Sequence, residues 1–131
     1  MQFTEFTIAQ RFFFDAAHTL RRDTQTAHEA QGSRRIHGHT YHAEVALSGP
    51  RDPVTGMVLD LGQLRRSLEA VREQLDHHML DDVPGLGTPT LENLCLFIAQ
   101  ALPADLRASV SRVRVWREAL GDIGGLDVPL A

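Results

Sequence analysis

Between His39 and Ser48 the chain alternates without a break: Tyr41, Ala43, Val45 and Leu47 take one side, and His42, Glu44, Ala46 and Ser48 the other. A repeat of two marks a strand with one covered and one open face. The chain must therefore supply something for the apolar side of that strand to lie against. Leu61, Leu64, Leu68, Val71 and Leu75 follow at spacings of three and four, so they line one stripe of a helix. Asp60 and Gln63 occupy the positions of a capping box at its start, and it ends near Asp76-His77-His78. Leu91, Leu94, Cys95, Phe97, Ile98 and Leu102 predict a second helix, with Pro89 in its first turn and Pro103 as its stop.

More strands flank these helices. Thr4 to Ala17 is rich in Phe and reads as a first strand. Ser109 to Trp116 alternates again, Val113 and Val115 against Arg112 and Arg114. The Gly-rich tail from Gly121 to Ala131 leaves room for a fourth strand, weakly signalled. Residues 19–36 are polar and follow no period; loops of this length in compact domains are usually functional or disordered. The order is β-β-α-α-β with room for a last β. Segregated strands and helices predict an α+β fold, with the helices on one face of an antiparallel sheet. At 131 residues the chain is expected to form one domain, 1–131. The uncovered face and open edges of such a sheet favour oligomerisation.

Composition narrows the chemistry. A net charge of −4 argues against nucleic acid as a partner. All 13 basic residues are Arg, so no mechanism can use a Lys Schiff base or a Walker lysine. The lone Cys95 can form neither an internal disulfide nor a Cys-rich zinc knuckle. On the apolar stripe of the second helix it reads as a small buried hydrophobe. No run of 18 apolar residues predicts a membrane span, and no signal peptide is visible, so a cytoplasmic location is the expectation.

Seven histidines are the chemical signal. His37 and His39 lie two apart at the mouth of the second strand and share a side. If the first two strands pair antiparallel, His18 at the end of the first falls beside them. Three imidazoles with an open fourth position suit a catalytic zinc ion, and with no Cys in the set and no clustered carboxylates zinc is favoured over magnesium or calcium. The same histidines also suit a surface or a core without a metal. Asp76 beside His77 can orient the ring and raise its basicity, or the histidines there can simply answer a helix C-terminus. Glu92 in the first turn of the second helix suits the helix dipole on its own account, and Glu118 after the third strand is either a ligand contact or a solvated charge.

In order along the chain stand Phe14-Asp15-Ala16-Ala17-His18-Thr19-Leu20, His37-Gly38-His39-Thr40-Tyr41, Met57-Val58-Leu59-Asp60-Leu61-Gly62-Gln63-Leu64, Leu75-Asp76-His77-His78-Met79-Leu80, Pro89-Thr90-Leu91-Glu92-Asn93-Leu94 and Val113-Arg114-Val115-Trp116. In this set the chain resembles the family of 6-pyruvoyl-tetrahydropterin and 6-carboxy-tetrahydropterin synthases. The resemblance implies the tunnelling fold: a four-stranded antiparallel sheet with two helices on one face, ββααββ, three subunits closing a barrel and two trimers stacking into a homohexamer. It implies that His18, His37 and His39 hold Zn2+ and that Asp76 and His77 relay protons. It further implies that a Glu after the third strand, here Glu118, anchors a pterin, with Thr90 and Glu92 as further substrate contacts. The implied reaction converts 7,8-dihydroneopterin triphosphate to 6-carboxy-5,6,7,8-tetrahydropterin, a queuosine and deazapurine precursor, or to a related 6-substituted tetrahydropterin.

The chain departs from the family pattern twice. The catalytic Cys expected four residues before His37 is Ser33, whose hydroxyl is a much weaker acid than a thiol. Glu29, or His28 beside it, is the alternative base on that loop. The family's Val-x-Val-x-Glu would put Glu at 117; the residue there is Arg117, and alternation turns Glu118 to the other face unless a bulge intervenes. Arg21, Arg22, Arg34 and Arg35 either hold a triphosphate or form a solvated loop. These departures motivate an alternative reading, a pterin-binding homologue without lyase activity. A weaker third is side-chain cleavage of dihydroneopterin with another base.

Overall fold

The computed structural model describes residues 3–19 and 36–129. Ser33, Glu29, His28 and the four loop arginines therefore lie outside the described residues. The first two strands are long, β1 (Phe6–His18) and β2 (His37–Gly49). Then come α1 (Leu61–Leu75), a short 3-10 turn (Leu80–Asp82), α2 (Leu91–Ala101) and the single turn α3 (Ala104–Arg107). Two strands, β3 (Val110–Arg117) and β4 (Asp122–Asp127), close the sequence of elements. The sheet runs β1-β2-β3-β4 and every neighbour is antiparallel. The expected ββααββ order holds; β2 extends past its alternation at both ends, while β1 starts two residues later and ends one later than the expected Thr4–Ala17.

The alternation is also the partition of the molecule. Phe14, Ala16 and His18 on β1, Tyr41, Ala43, Val45 and Leu47 on β2, and Val113 and Val115 on β3 are all buried. Leu64, Leu68, Val71 and Leu75 of α1 and Leu94, Cys95, Phe97, Ile98 and Ala99 of α2 cover them. Each large side chain fully removed from water contributes about 1.5–3 kcal/mol. The register with β3 shifts between Ala46 and Leu47, leaving Ser111 of β3 as the extra residue, and the Ser111 hydroxyl donates to the Ala46 carbonyl at 3.3 Å.

Both helix starts differ in detail from the sequence reading. Asp60 caps α1 by accepting from the Gly62 N–H at 2.9 Å, but Gln63 does not fold back to complete a capping box. Its amide instead donates to Asp105 of α3 at 2.9 Å, a tertiary partner that local spacing does not reveal. Pro89 precedes the cap of α2 and is not in its first turn: Thr90 is the cap and accepts from the Asn93 N–H at 3.1 Å.

Two local features shape the edges of the sheet. After α1 the chain reverses through His77, whose φ of 58° is the left-handed conformation usually left to Gly. Residues 77–79 then run along the outer edge of β1: His77 N–H donates to the Asp15 carbonyl at 2.7 Å, and Ala17 N–H to the His78 carbonyl at 3.1 Å. On β4, Gly124 sits against α2; a Cβ there would stand 2.5 Å from the Leu91 Cβ. No helix among the described residues is long and apolar enough to cross a membrane.

Candidate functional site

The register pairs His18 with His37 and Ala16 with His39, so the three imidazoles stand on one face at one end of the sheet. Their ring centroids are 5.0 Å apart for His18 and His39, 5.8 Å for His18 and His37, and 6.2 Å for His37 and His39. His18 is only 4% exposed, and neither of its ring nitrogens has a hydrogen-bond partner among the described residues. A buried polar group left unpaired costs about 1–3 kcal/mol. Burial lowers the pKa of both His18 and His39 below the ordinary imidazole value, and the Arg117 charge adds to this. Neutral imidazoles with an unpartnered buried nitrogen are the donor set that Zn2+ takes. By donor type the three histidines suit that ion, while the described group whose ligand atoms all lie within 4.8 Å of one another is Asp15, Asp76 and His77.

Below His18 the chain is fastened twice. Asp81 accepts from the Thr19 N–H at 2.7 Å and from its hydroxyl at 2.6 Å. That fixes the end of β1 from which His18 projects. Asp81, in the 3-10 turn, carries no sequence signal for this task.

A cavity of about 250 Å³ opens beside the cluster, lined by His18, Tyr41, Thr90, Leu91, Glu92 and Arg117. Thr90 and Glu92, the expected substrate contacts, are both on the wall of this cavity. Glu118 does not: it is exposed in the turn at 118–121, and Arg117 takes the inward position. Alternation explains this, because residue 117 shares a side with Val113 and Val115. The guanidinium of Arg117 lies 5.9 Å from the Tyr41 ring centroid, and its Nη1 is 3.5 Å from His39 Nε2. Nε donates to Asp122 at 3.1 Å and Nη2 contacts the other oxygen of the same carboxylate. This fork holds the Asp122 carboxyl below its ordinary range. Burial pushes the Tyr41 hydroxyl up to about 12. Tyr41 was legible as a strand position, Arg117 lies one residue past the expected end of the third strand, and Asp122 was hidden in the Gly-rich tail.

His77 lines a different cavity, of about 580 Å³, with Asp15, Gly38, Thr40 and His78; His39 borders it as well. Asp15 and Thr40 point to the sheet face opposite Phe14 and Tyr41. Asp76 accepts from the Asp15 N–H at 2.9 Å and pairs with Arg72 Nη2 at 3.2 Å; these hold its carboxyl below the ordinary range, the Asp15 N–H most strongly. His77 Nδ1 is 3.8 Å from Asp76, beyond hydrogen-bond reach. Cys95 is buried behind the sheet, its thiol pushed up to about 11 by burial, far too high for a nucleophile near neutral pH.

Residues 7–121 match the family described as 6-pyruvoyl tetrahydropterin synthase. The chain belongs to this family. A 6-carboxy-5,6,7,8-tetrahydropterin synthase of Synechocystis is 35% identical over 96 residues, 70% of each chain. A dihydroneopterin monophosphate aldolase of Pyrococcus furiosus is 30% identical over 111 residues, 83% of this chain and 87% of that one. A 6-pyruvoyl tetrahydrobiopterin synthase of Poecilia reticulata is 47% identical over 78 residues, so the match spans about half, 53%, of either protein. The fold is shared with a Caenorhabditis elegans 6-pyruvoyl tetrahydropterin synthase, at a TM-score of 0.79 and 24% identity, over 98% of this chain and 100% of that chain. These relatives thus carry different enzyme names, two of them synthases and one an aldolase.

Proposed function

We propose that this chain is a zinc-dependent pterin synthase. Its substrate on this reading is 7,8-dihydroneopterin triphosphate, and its product 6-carboxy-5,6,7,8-tetrahydropterin or a related 6-substituted tetrahydropterin. The observation that carries the reading is His18, buried beside His37 and His39 with both ring nitrogens unpartnered. His18, His37 and His39 would hold the ion, which would polarise oxygens of the substrate side chain and ease enolisation. Asp76 and His77 serve as the proton relay. Asp76 stays ionised under its Asp15 and Arg72 contacts, and the exposed His77 ring exchanges a proton with the substrate or solvent. Ser33, Glu29 or His28 supplies the remaining base. Thr90 and Glu92 contact the ligand from the start of α2, while Glu118 would reach it only if the turn at 118–121 rearranged. The proposed assembly is a cytoplasmic homohexamer, in which the open edges of β1 and β4 close a barrel.

The second reading, a pterin binder without lyase activity, is favoured by Arg117, a donor-only group where the pattern calls for an acceptor. One experiment separates the two: zinc-loaded protein is incubated with dihydroneopterin triphosphate and the products are resolved by chromatography. New 6-carboxy pterin supports the synthase. Intact substrate together with measurable pterin binding supports the binder. Ser33→Cys raises turnover if position 33 is the place of the base, and no gain removes Ser33 from that role.

A further inference from the structure

Two carboxylates and an imidazole meet at the outer edge of β1. One oxygen of Asp15, one of Asp76 and one ring nitrogen of His77 lie within 4.8 Å of one another. The two carboxylates are not used alike. Asp76 is engaged at both oxygens: Oδ1 accepts from the Asp15 N–H at 2.9 Å, and Oδ2 pairs with Arg72 Nη2 at 3.2 Å. Arg72 is itself pinned, its Nε donating to the Phe13 carbonyl at 2.7 Å. Asp76 is also off the wall of the cavity of about 580 Å³, whereas Asp15 and His77 are both on it. Asp15 is fixed through its backbone and its side chain. Its N–H goes to Asp76, its carbonyl accepts from the His77 N–H at 2.7 Å, and its Oδ1 accepts from the Thr40 hydroxyl at 2.5 Å. An ionised carboxylate accepts at two oxygens through about four lone-pair sites. The Thr40 contact therefore leaves Asp15 able to accept from a ligand as well.

We infer that Asp15 is a further catalytic residue, the carboxylate that exchanges a proton with the ligand on the wall of this cavity, and that Asp76 is the positioning residue that holds Asp15 and His77 toward it. The inference rests on the proton-relay reading and deepens it by naming the carboxylate that meets the ligand. Strand pairing sets Asp15 opposite Thr40, beside the Ala16 and His39 pair. His39 of the histidine cluster borders the same cavity, so a ligand seated at the cluster has a direct path to Asp15. Asp76 is placed less well for that task. His77 Nδ1 stands 3.8 Å from it, beyond hydrogen-bond reach. The contacts that lower its pKa, the Asp15 N–H first and then the Arg72 charge, also make it a poorer base than an ordinary carboxylate. The step is a proton transfer. A new O–H bond on Asp15 replaces the bond to hydrogen broken in the ligand, and the electron pair of that bond stays on the ligand. The proton returns to the ligand or passes to His77 before the cycle ends, so no oxidant or further reactant is needed.

The competing account is that Asp15 only fastens β1 to β2 through Thr40. Turnover of 7,8-dihydroneopterin triphosphate by the zinc-loaded protein separates the two. Asp15→Asn keeps an oxygen for Thr40 and loses the basic carboxylate, so kcat should fall by about a hundredfold or more while KM stays within about threefold. Asp15→Ala should be as slow, and added formate should raise its rate about tenfold or more by standing in for the lost carboxylate. Thr40→Val breaks the fastening and leaves the carboxylate, so it should lose less than about tenfold. If Asp15→Ala does not fold, the comparison of Asp15→Asn with Thr40→Val decides. A kcat in Asp15→Asn within about threefold of the unaltered protein overturns the inference. So do equal losses in Asp15→Asn and Thr40→Val, or a folded Asp15→Ala that formate does not rescue. Metal analysis that finds a second ion per chain, lost in Asp15→Asn, also overturns it, because the group would then be a cation site. Each of these outcomes in an active protein removes the inference alone. An unaltered protein that forms no product removes the relay reading and the inference with it.

Discussion

His18 concentrates the energetics of the site in one side chain. Folding buries its ring without giving either nitrogen a partner among the described residues, a cost that coordination would remove. Zinc should therefore raise the Tm of the unaltered protein by mass action, and His18→Ala should abolish that rise while costing the metal-free protein little. Thermal denaturation with and without zinc is the check. His77 illustrates a different trade. A residue with a Cβ at φ 58° is strained by roughly 1 kcal/mol, and Gly would relieve that strain at some loss of chain entropy. His77→Gly should leave stability within about 1 kcal/mol of the unaltered protein. Product formation should nevertheless fall by about a hundredfold or more if His77 moves a proton. Denaturant melts paired with turnover on the same sample would show it.

At the scale of elements, close fits and shared charges join pieces distant in sequence. Gly124→Ala would put a methyl group 2.5 Å from the Leu91 Cβ, pushing β4 off the start of α2. Destabilisation of about 1–3 kcal/mol is expected, read from the urea midpoint. Glu44 on β2 ties β1 and β3 together on the open face, at 2.8 Å from Arg11 and 3.1 Å from Arg112. The hydrogen bond from Arg11, then that from Arg112, holds its carboxyl below the usual Glu range. A depressed carboxyl contributes stability above its unfolded pKa of about 4.3, and loses it as pH falls through the lower folded value. Glu44→Gln should cost up to about 1 kcal/mol at pH 7, since Arg11 is largely in water, and the gap should close in strong acid. Melts across pH 3–7 test this. The elements legible in sequence were those whose own period settles their partner: β2 and the buried stripes of α1 and α2. β4 was faint because Asp122–Asp127 owes its extended form to pairing with β3 and its glycines to the approach of Leu91, both non-local causes. Gln63 was misread for the same reason: its partner Asp105 lies 42 residues away.

For the whole molecule, the histidine cluster was readable because strand pairing alone brings residues 18, 37 and 39 to one end of the sheet. Arg117 and Asp122 needed the hairpin, and the separation of Asp76 and His77 from the cluster needed the fold of residues 77–79 along β1. The open edges of β1 and β4 make association the expected fate of the sheet, and light scattering on the purified chain should give the mass of six subunits. The central claim is that His18, His37 and His39 hold one divalent ion. Its most direct test is cobalt substitution: the metal-free protein titrated with Co2+, followed by visible absorption and by metal analysis after gel filtration. The account predicts one tightly held Co2+ per chain, a four-coordinate spectrum displaced by Zn2+, and loss of both in His18→Ala. Retention of no metal, or the same metal content and spectrum in His18→Ala, would contradict it.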